Sequence, residues 1–332
     1  MCAGRYGCPG GLAGEITRNI MMLGLGAGAT IDCAHTGAGF RIEAVDQAVV
    51  SGFHFVNVVG SYAGSEVVGT YYGSDVIARY AGGISARDTR NISILSSTFK
   101  NCQGDVAGAI SIIHKDGNSN NIHSLSHIQI SNSSGGTNTH SGGAAGSISL
   151  SYYSHSSGNN NNIHSLSHIQ ISNSIGGTNT GDGGAAGSIS LSYFTGGTAE
   201  AQSIFSGSVG LGNNNNTHSL FHIQISNSTG GTDGEIGNAG AISIAYHEQA
   251  KDRQGSVGHN NNQNIRKLSV DGCRGGDSAH GAGALAVQLH GAASAEVLIE
   301  DSVFIRNQGL FHQLLLLRHL VLLLMLLLHS RL

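Results

Sequence analysis

Eighteen histidines are the residues through which this 332-residue chain could do chemistry. Six of them fall in pairs four residues apart: His123/His127, His164/His168 and His218/His222. Each pair lies in a copy of one segment, NNIHSLSHIQISNS at 120–133 and 161–174, and NNTHSLFHIQISNS at 215–228. Apolar and polar residues alternate there with period two, the pattern of an extended strand. Stacked copies would align the imidazoles in columns ~5 Å apart, close enough to hold Zn²⁺ or Cu²⁺ weakly. By parity with Gln129, the His127 column faces outward. The simpler reading, adopted here, is that one duplicated unit carried its histidines along, so neither a metal nor a cofactor is expected. Protonation is expected to matter more, with acid pH destabilising the repeats through repulsion within the columns.

Carboxylate chemistry has little to draw on. Between Gly117 and Gly230 the only acids are Asp182 and Glu200, so the middle of the chain lacks the carboxylate pair that glycosidic acid–base chemistry uses. The most enzyme-like stretch is VDGCRGGDSAHGAG at 270–283, with Asp271, Arg274, Asp277 and His280. It reads as solvated turn residues, and no catalytic residue is expected.

The elements that must position these side chains follow from composition and repetition. Glycine contributes 51 residues, proline one, and charged residues only 11%, against ~25% charged in an average domain. A net charge of −4 without a basic cluster argues against nucleic-acid binding, which needs cations to neutralise phosphates. So much glycine also disfavours a helical protein, at roughly 1 kcal/mol per helix-interior glycine. A second repeated segment, GGAAGSISLSY at 142–152 and 183–193, returns in relaxed form as GNAGAISIAY at 237–246. Two strand types therefore alternate along the chain. One is marked by Ile84, Ile110, Ile148, Ile189, Ile242 and Leu285; the other by NISILSSTF, the three HIQIS copies, RKLSVDGC and VLIEDSVF. A strand that returns to lie beside its own copy builds a parallel sheet by coiling. The expected fold is all-β: a right-handed parallel β-helix solenoid of about seven coils over 16–309, with repeats at 120–152, 161–193 and 215–246. Residues 1–15 read as an irregular lead-in. In SISLS the serines Ser147, Ser149 and Ser151 are expected on the outer face of a half-buried strand.

Length variation falls between the two strand types, in 114–124, 152–165, 193–219 and 246–264, which places the long loops on one side. Asparagine runs at 159–162, 213–216 and 260–262 suit turns, because Asn tolerates left-handed φ. At the opposite corner Asn132, Asn173 and Asn227 are expected to stack as a ladder that satisfies turn backbone groups.

The five cysteines (Cys2, Cys8, Cys33, Cys102, Cys273) form no CxxC pair, which argues against a zinc site. Cys33, Cys102 and Cys273 each end a β-like run and read as small buried residues rather than disulfide partners. The first residues contain no continuous apolar stretch of signal-peptide type. Residues 310–332 differ in kind, with LLLLRHLVLLLMLLL at 314–328. The longest unbroken apolar run there, 320–328, is well short of the ~20 residues that span a bilayer. The segment reads as an apolar helix serving either as a membrane anchor, with contact through 314–328, or as a cap on the fold's open end; an artefact of the gene model is the third reading.

These motifs resemble the pectin-lyase-like parallel β-helix superfamily and, more narrowly, the polymorphic outer-membrane-protein repeats, whose hallmarks are GGA[I/L/V] and FxxN. Gly82-Gly83-Ile84, Ala107-Gly108-Ala109-Ile110, Gly142-Gly143-Ala144, Gly183-Gly184-Ala185 and Gly240-Ala241-Ile242 approximate the first. Phe304-Ile305-Arg306-Asn307 matches the second, while Phe99-Lys100-Asn101 and Phe55-Val56-Asn57 are one residue short. The HIQIS copies lack the phenylalanine, and nothing resembles the family's C-terminal barrel. The resemblance implies a surface-exposed or secreted, often adhesive protein. The expected function is a non-catalytic surface or extracellular scaffold whose loop wall 193–219 meets a glycan or protein partner. The alternatives are a polysaccharide-active lyase or hydrolase and a structural cell-wall or matrix component.

Overall fold

A computed structural model describes residues 1–8, 11–25, 28–60, 66–71, 74–78, 81–114, 120–138, 145–154, 161–179, 186–195, 215–233, 239–248, 261–276, 282–290 and 295–309. Among the described residues the chain is all-β, dominated by two long parallel sheets of eight and fourteen strands. The eight-stranded sheet runs Leu12–Ile16, Ala38–Glu43, Ile84–Arg87, Ile110–His114, Ile148–Ser154, Ile189–Thr195, Ile242–Glu248, Leu285–His290. Its register joins Ile84, Ile110, Ile148, Ile189, Ile242 and Leu285 in one row, the row that the sequence marks. The large sheet aligns the three HIQIS strands Ile122–Ser131, Ile163–Ser172 and Thr217–Ser226 residue for residue. It continues through Asn261–Arg266 and Ser269–Asp271 to Ala295–Glu300 and Val303–Ile305. The short N-terminal apolar runs are strands as expected, including Ile20–Leu23, Ala29–Asp32, Gln47–Ser51 and Phe53–Val56. Within 1–16, Gly4–Gly7 and Leu12–Ile16 already pair into the two large sheets.

A corner in the large sheet lets Leu125, Ile128 and Ile130 share one core. Strict alternation would send Leu125 and Ile128 to opposite faces, yet all three are buried. His127 between them has φ +55, and its counterparts Ser96, His168, His222, Lys267 and Asp301 are also left-handed. One left-handed residue resets the parity and bends the strand. Asn91–Leu95 and Thr98–Lys100 accordingly pair with the two halves of Ile122–Ser131. A second left-handed corner runs through Asn57, Asn101, Asn132, Asn173 and Asn227, where Asn bears the conformation at little cost.

Glycine has a specific task in the Gly-Ala/Ser-Ile motif. A Cβ on Gly146 would lie 2.0 Å from the Gly187 carbonyl oxygen, and one on Gly187 the same distance from that of Gly240. The backbones approach too closely there for any side chain. Inside, apolar rows such as Leu125/Leu166/Leu220 and Ile128/Ile169/Ile223 are fully buried. The N-terminal rows use aromatics instead, with Phe55 stacked on Phe99 at 4.9 Å and Phe40 edge-on to Phe53 at 5.3 Å.

Two expectations are corrected. Ser147, Ser149 and Ser151 are buried, as are Ser188, Ser190 and Ser192. The middle strands of the eight-stranded sheet are thus covered on both faces, as parallel strands usually are, and a serine on a covered face is small enough to fit. Cys33 is disulfide-bonded to Cys8, while Cys102 and Cys273 are buried free thiols. The cause is register: Gly7 pairs with Asp32, so the next residues of the two strands stand side by side, with Cα atoms 4.6 Å apart. Burial pushes the Cys102 thiol up to about 12, which suppresses its reactivity.

Candidate functional site

The two histidine sets form columns, as stacking requires, but they separate to opposite sides of the sheet. His123, His164 and His218 share the inward parity of Leu125 and are buried. Successive rings lie 4.9 and 4.7 Å apart. Facing them across the interior are His114, Tyr152 and Tyr246 of one row of the eight-stranded sheet, all three buried. His114 stacks on Tyr152 at 4.8 Å. One tautomer of His123 satisfies its neighbours. The Tyr152 hydroxyl donates to Nδ1 at 3.0 Å, leaving Nε2–H to reach His114 Nε2 at 3.1 Å and the Thr89 carbonyl at 3.3 Å. In the row beyond His218, Gln263 takes the histidine's place and donates to Tyr246 Oη.

Burial dominates the protonation of this column, because a charged ring would leave water. It holds His123 down to about 4 and His218 to about 3. His114 and His164 lie well below the ordinary range for the same reason, helped by the charges of neighbouring rings. The tyrosine hydroxyls of Tyr152 and Tyr246 are pushed up by the same burial. Flanking the column is an asparagine ladder with no counterpart in the sequence reading. Asn121 Nδ2 donates to Asn162 Oδ1 at 2.9 Å, Asn162 to Asn216 and Asn216 to Asn261 at 3.0 Å, and each Oδ1 also receives a backbone N–H. The preceding residues Asn120, Asn161 and Asn215 are left-handed, in line with their expected turn role. Of the ladder expected at the other corner, the Asn132–Asn173 rung is present and exposed: Asn132 donates to Asn101, and Asn173 to Asn132, at 3.3 Å, joining side-chain amides rather than the turn backbone groups expected.

The accessible surface lies on the opposite side of the same strands. His127, His168 and His222 are exposed, with His127 and His168 stacked at 4.7 Å and His168 5.1 Å from His222. Desolvation, then the neighbouring His127 and His222, lowers the His168 pKa. Beside them the Gln129, Gln170 and Gln224 amides run in a ladder at 3.5 Å. Ser126 and Ser167 form the next column, in which the third copy places Phe221. Phe221 packs against His222 at 4.6 Å and edge-on to His168 at 5.7 Å, with the Lys267 ammonium 5.2 Å from its ring centre. The result is an aromatic, cationic patch on a polar face. Its sequence signal was the one bulky substitution, Ser to Phe, in a strand that otherwise departs from the second copy only by Thr217 for Ile163.

Of the enzyme-like stretch 270–283, Asp271 forms a bidentate ion pair with Arg306, whose Nε donates to Oδ1 at 2.9 Å. The Arg306 hydrogen bond holds the Asp271 carboxyl below its ordinary value, the reverse of what a general acid at neutral pH needs. Arg274 is exposed, and Asp277 and His280 lie outside the described residues, as do 196–214 of the loop wall and the whole of 310–332. Among the described residues no group of three or more His, Cys, Asp or Glu is arranged to hold a metal ion, and no helix is long and apolar enough to cross a membrane. No family model, curated protein or solved structure matches the chain.

Proposed function

We propose that the chain is a right-handed parallel β-helix of about seven coils that serves as a non-catalytic surface or extracellular scaffold, binding a glycan or protein partner along one side. The carrying observation is the outer face of the three HIQIS strands, which repeats exposed His and Gln in register and adds the Phe221–Lys267 patch. Such a face offers amide, imidazole and aromatic contacts at the strand spacing of ~4.8 Å, suited to a ligand that is itself periodic. The Asn/Ser/His-rich loops between the two strand types extend the same binding role. The Cys8–Cys33 disulfide favours an oxidising compartment, in keeping with a surface or secreted location.

The test is binding of the purified chain to a panel of polysaccharides and cell-surface glycoproteins, with Phe221→Ser as the diagnostic variant. Serine is what the other two copies carry at this position, so the variant should fold. At least a tenfold loss of binding is expected; undiminished binding in this variant and after shortening 196–214 would overturn the reading. Shortening of a bound polysaccharide, lost in Asp271→Asn or Asp277→Asn, would establish the enzyme alternative instead.

A further inference from the structure

Among the described residues, the interior of the fold ends on an open cross-section at its C-terminal side. Along two inward rows of the large sheet the residues from Ile94 and Phe99 onward are buried until the last member. Ile94, Leu125, Leu166, Leu220 and Ile265 are each 0% exposed, whereas Ile299, next in register, is 37% exposed. Phe304 follows Val270 in its row and rises from 0% to 43%. Leu285, Val287 and Val297 of the same terminal layer are only partly buried. Among the described residues, Ala295–Glu300, Val303–Ile305 and Leu285–His290 each pair on one side only, leaving their other edges without a described strand beside them. An apolar, open-edged end of this kind invites self-association unless something covers it.

We propose that residues 310–332 of the same chain cover this end. The segment follows Gly309 directly, while Gln308 still bridges to Arg274 in the preceding layer, so it emerges at the rim of the surface that needs covering. Its composition fits, being leucine-rich with Phe311, Val321 and Met325 and few polar residues. Arg318 and His319 interrupt the apolar run, which suits a rim where charged heads reach water and is costly at the centre of a bilayer. Tethering gives the segment an effective concentration in the millimolar range, so it outcompetes a second copy at ordinary protein concentrations.

The experiment uses the full chain, its Phe304→Asp variant and a chain ending at Gly309. Trypsin cleavage at Arg318 and hydrogen exchange across 295–305 are followed, together with sedimentation and binding to phosphatidylcholine vesicles. Arg318 is expected to be protected in the full chain and cut at least tenfold faster in Phe304→Asp. Loss of 310–332 should accelerate exchange across 295–305 at least tenfold, leave Ile122–Ser131 unchanged and produce end-to-end oligomers. Equal cleavage of Arg318 in the full chain and Phe304→Asp overturns the proposal. So does a full chain that protects 295–305 only as a dimer, which makes a second copy the cover. Vesicle binding through 310–332 with exchange at 295–305 unchanged by its removal assigns the segment to the membrane, and equally overturns the proposal.

Discussion

Lowering the pH from 7.5 to 5 should destabilise the fold by at least about 4 kcal/mol. Burial depresses the folded-state values of His123 and His218 to about 4 and about 3, so both rings are neutral in the folded chain at pH 5. In the unfolded chain they titrate near 6.5 and are almost fully protonated at that pH. The folded state then binds fewer protons than the unfolded one. Stability is therefore complete above ~6.5 and falls as the pH drops toward the folded-state values. At ~1.4 kcal/mol per pKa unit, the interval from 6.5 to 5 costs about 2 kcal/mol per ring, and His114 and His164 act in the same direction. The sequence suggested repulsion within columns; burial is the larger cause, and the two differ in salt dependence. High salt screens the exposed His127/His168/His222 column but not the buried one. Urea denaturation followed by circular dichroism at both pH values, in 0.1 and 1 M NaCl, measures the loss. His218→Gln copies the next row, where Gln263 donates to Tyr246, and should remove about 2 kcal/mol of the pH dependence. A change under about 1 kcal/mol, or one abolished by salt, would refute the reasoning.

Gly187→Ala sets a methyl group against the Gly240 carbonyl and should cost on the order of 3 kcal/mol in urea denaturation, whereas Gly11→Ala, where a Cβ meets nothing within 4 Å, should be neutral. Asn162→Ala removes the acceptor of two buried Asn121 donors and should cost about 2–4 kcal/mol, against under about 1 kcal/mol for Asn132→Ala on the exposed ladder. A thiol reagent should titrate Cys2 alone in the native, unreduced protein, since Cys102 and Cys273 are buried and Cys8 is bonded to Cys33; rapid labelling of more than one thiol would contradict that arrangement.

Much of the architecture was legible because exact duplication dictates register. Identical segments at 120–133 and 161–174 align without a shift, and the row through Ile84, Ile110 and Ile148 could be read from the small residues that precede each isoleucine. Parity placed His127 and Gln129 outside for the same reason. Parity also contained the inward position of His123, through Leu125, but not the imidazole and phenol rings that meet it.

Local pattern, then, determined strand type, strand order and the sequence of turns, because these depend on neighbours along the chain and on its own copies. Contacts between one strand row and another were decided only by the tertiary structure. The left-handed corner at His127 admits Leu125 and Ile128 to one interior. Opposed sheets bring His114 and Tyr152 onto His123, and a four-residue strand pairing sets Cys8 beside Cys33. The last two are meetings of separate strands, and period-two alternation carries no information about which rows face each other across a core.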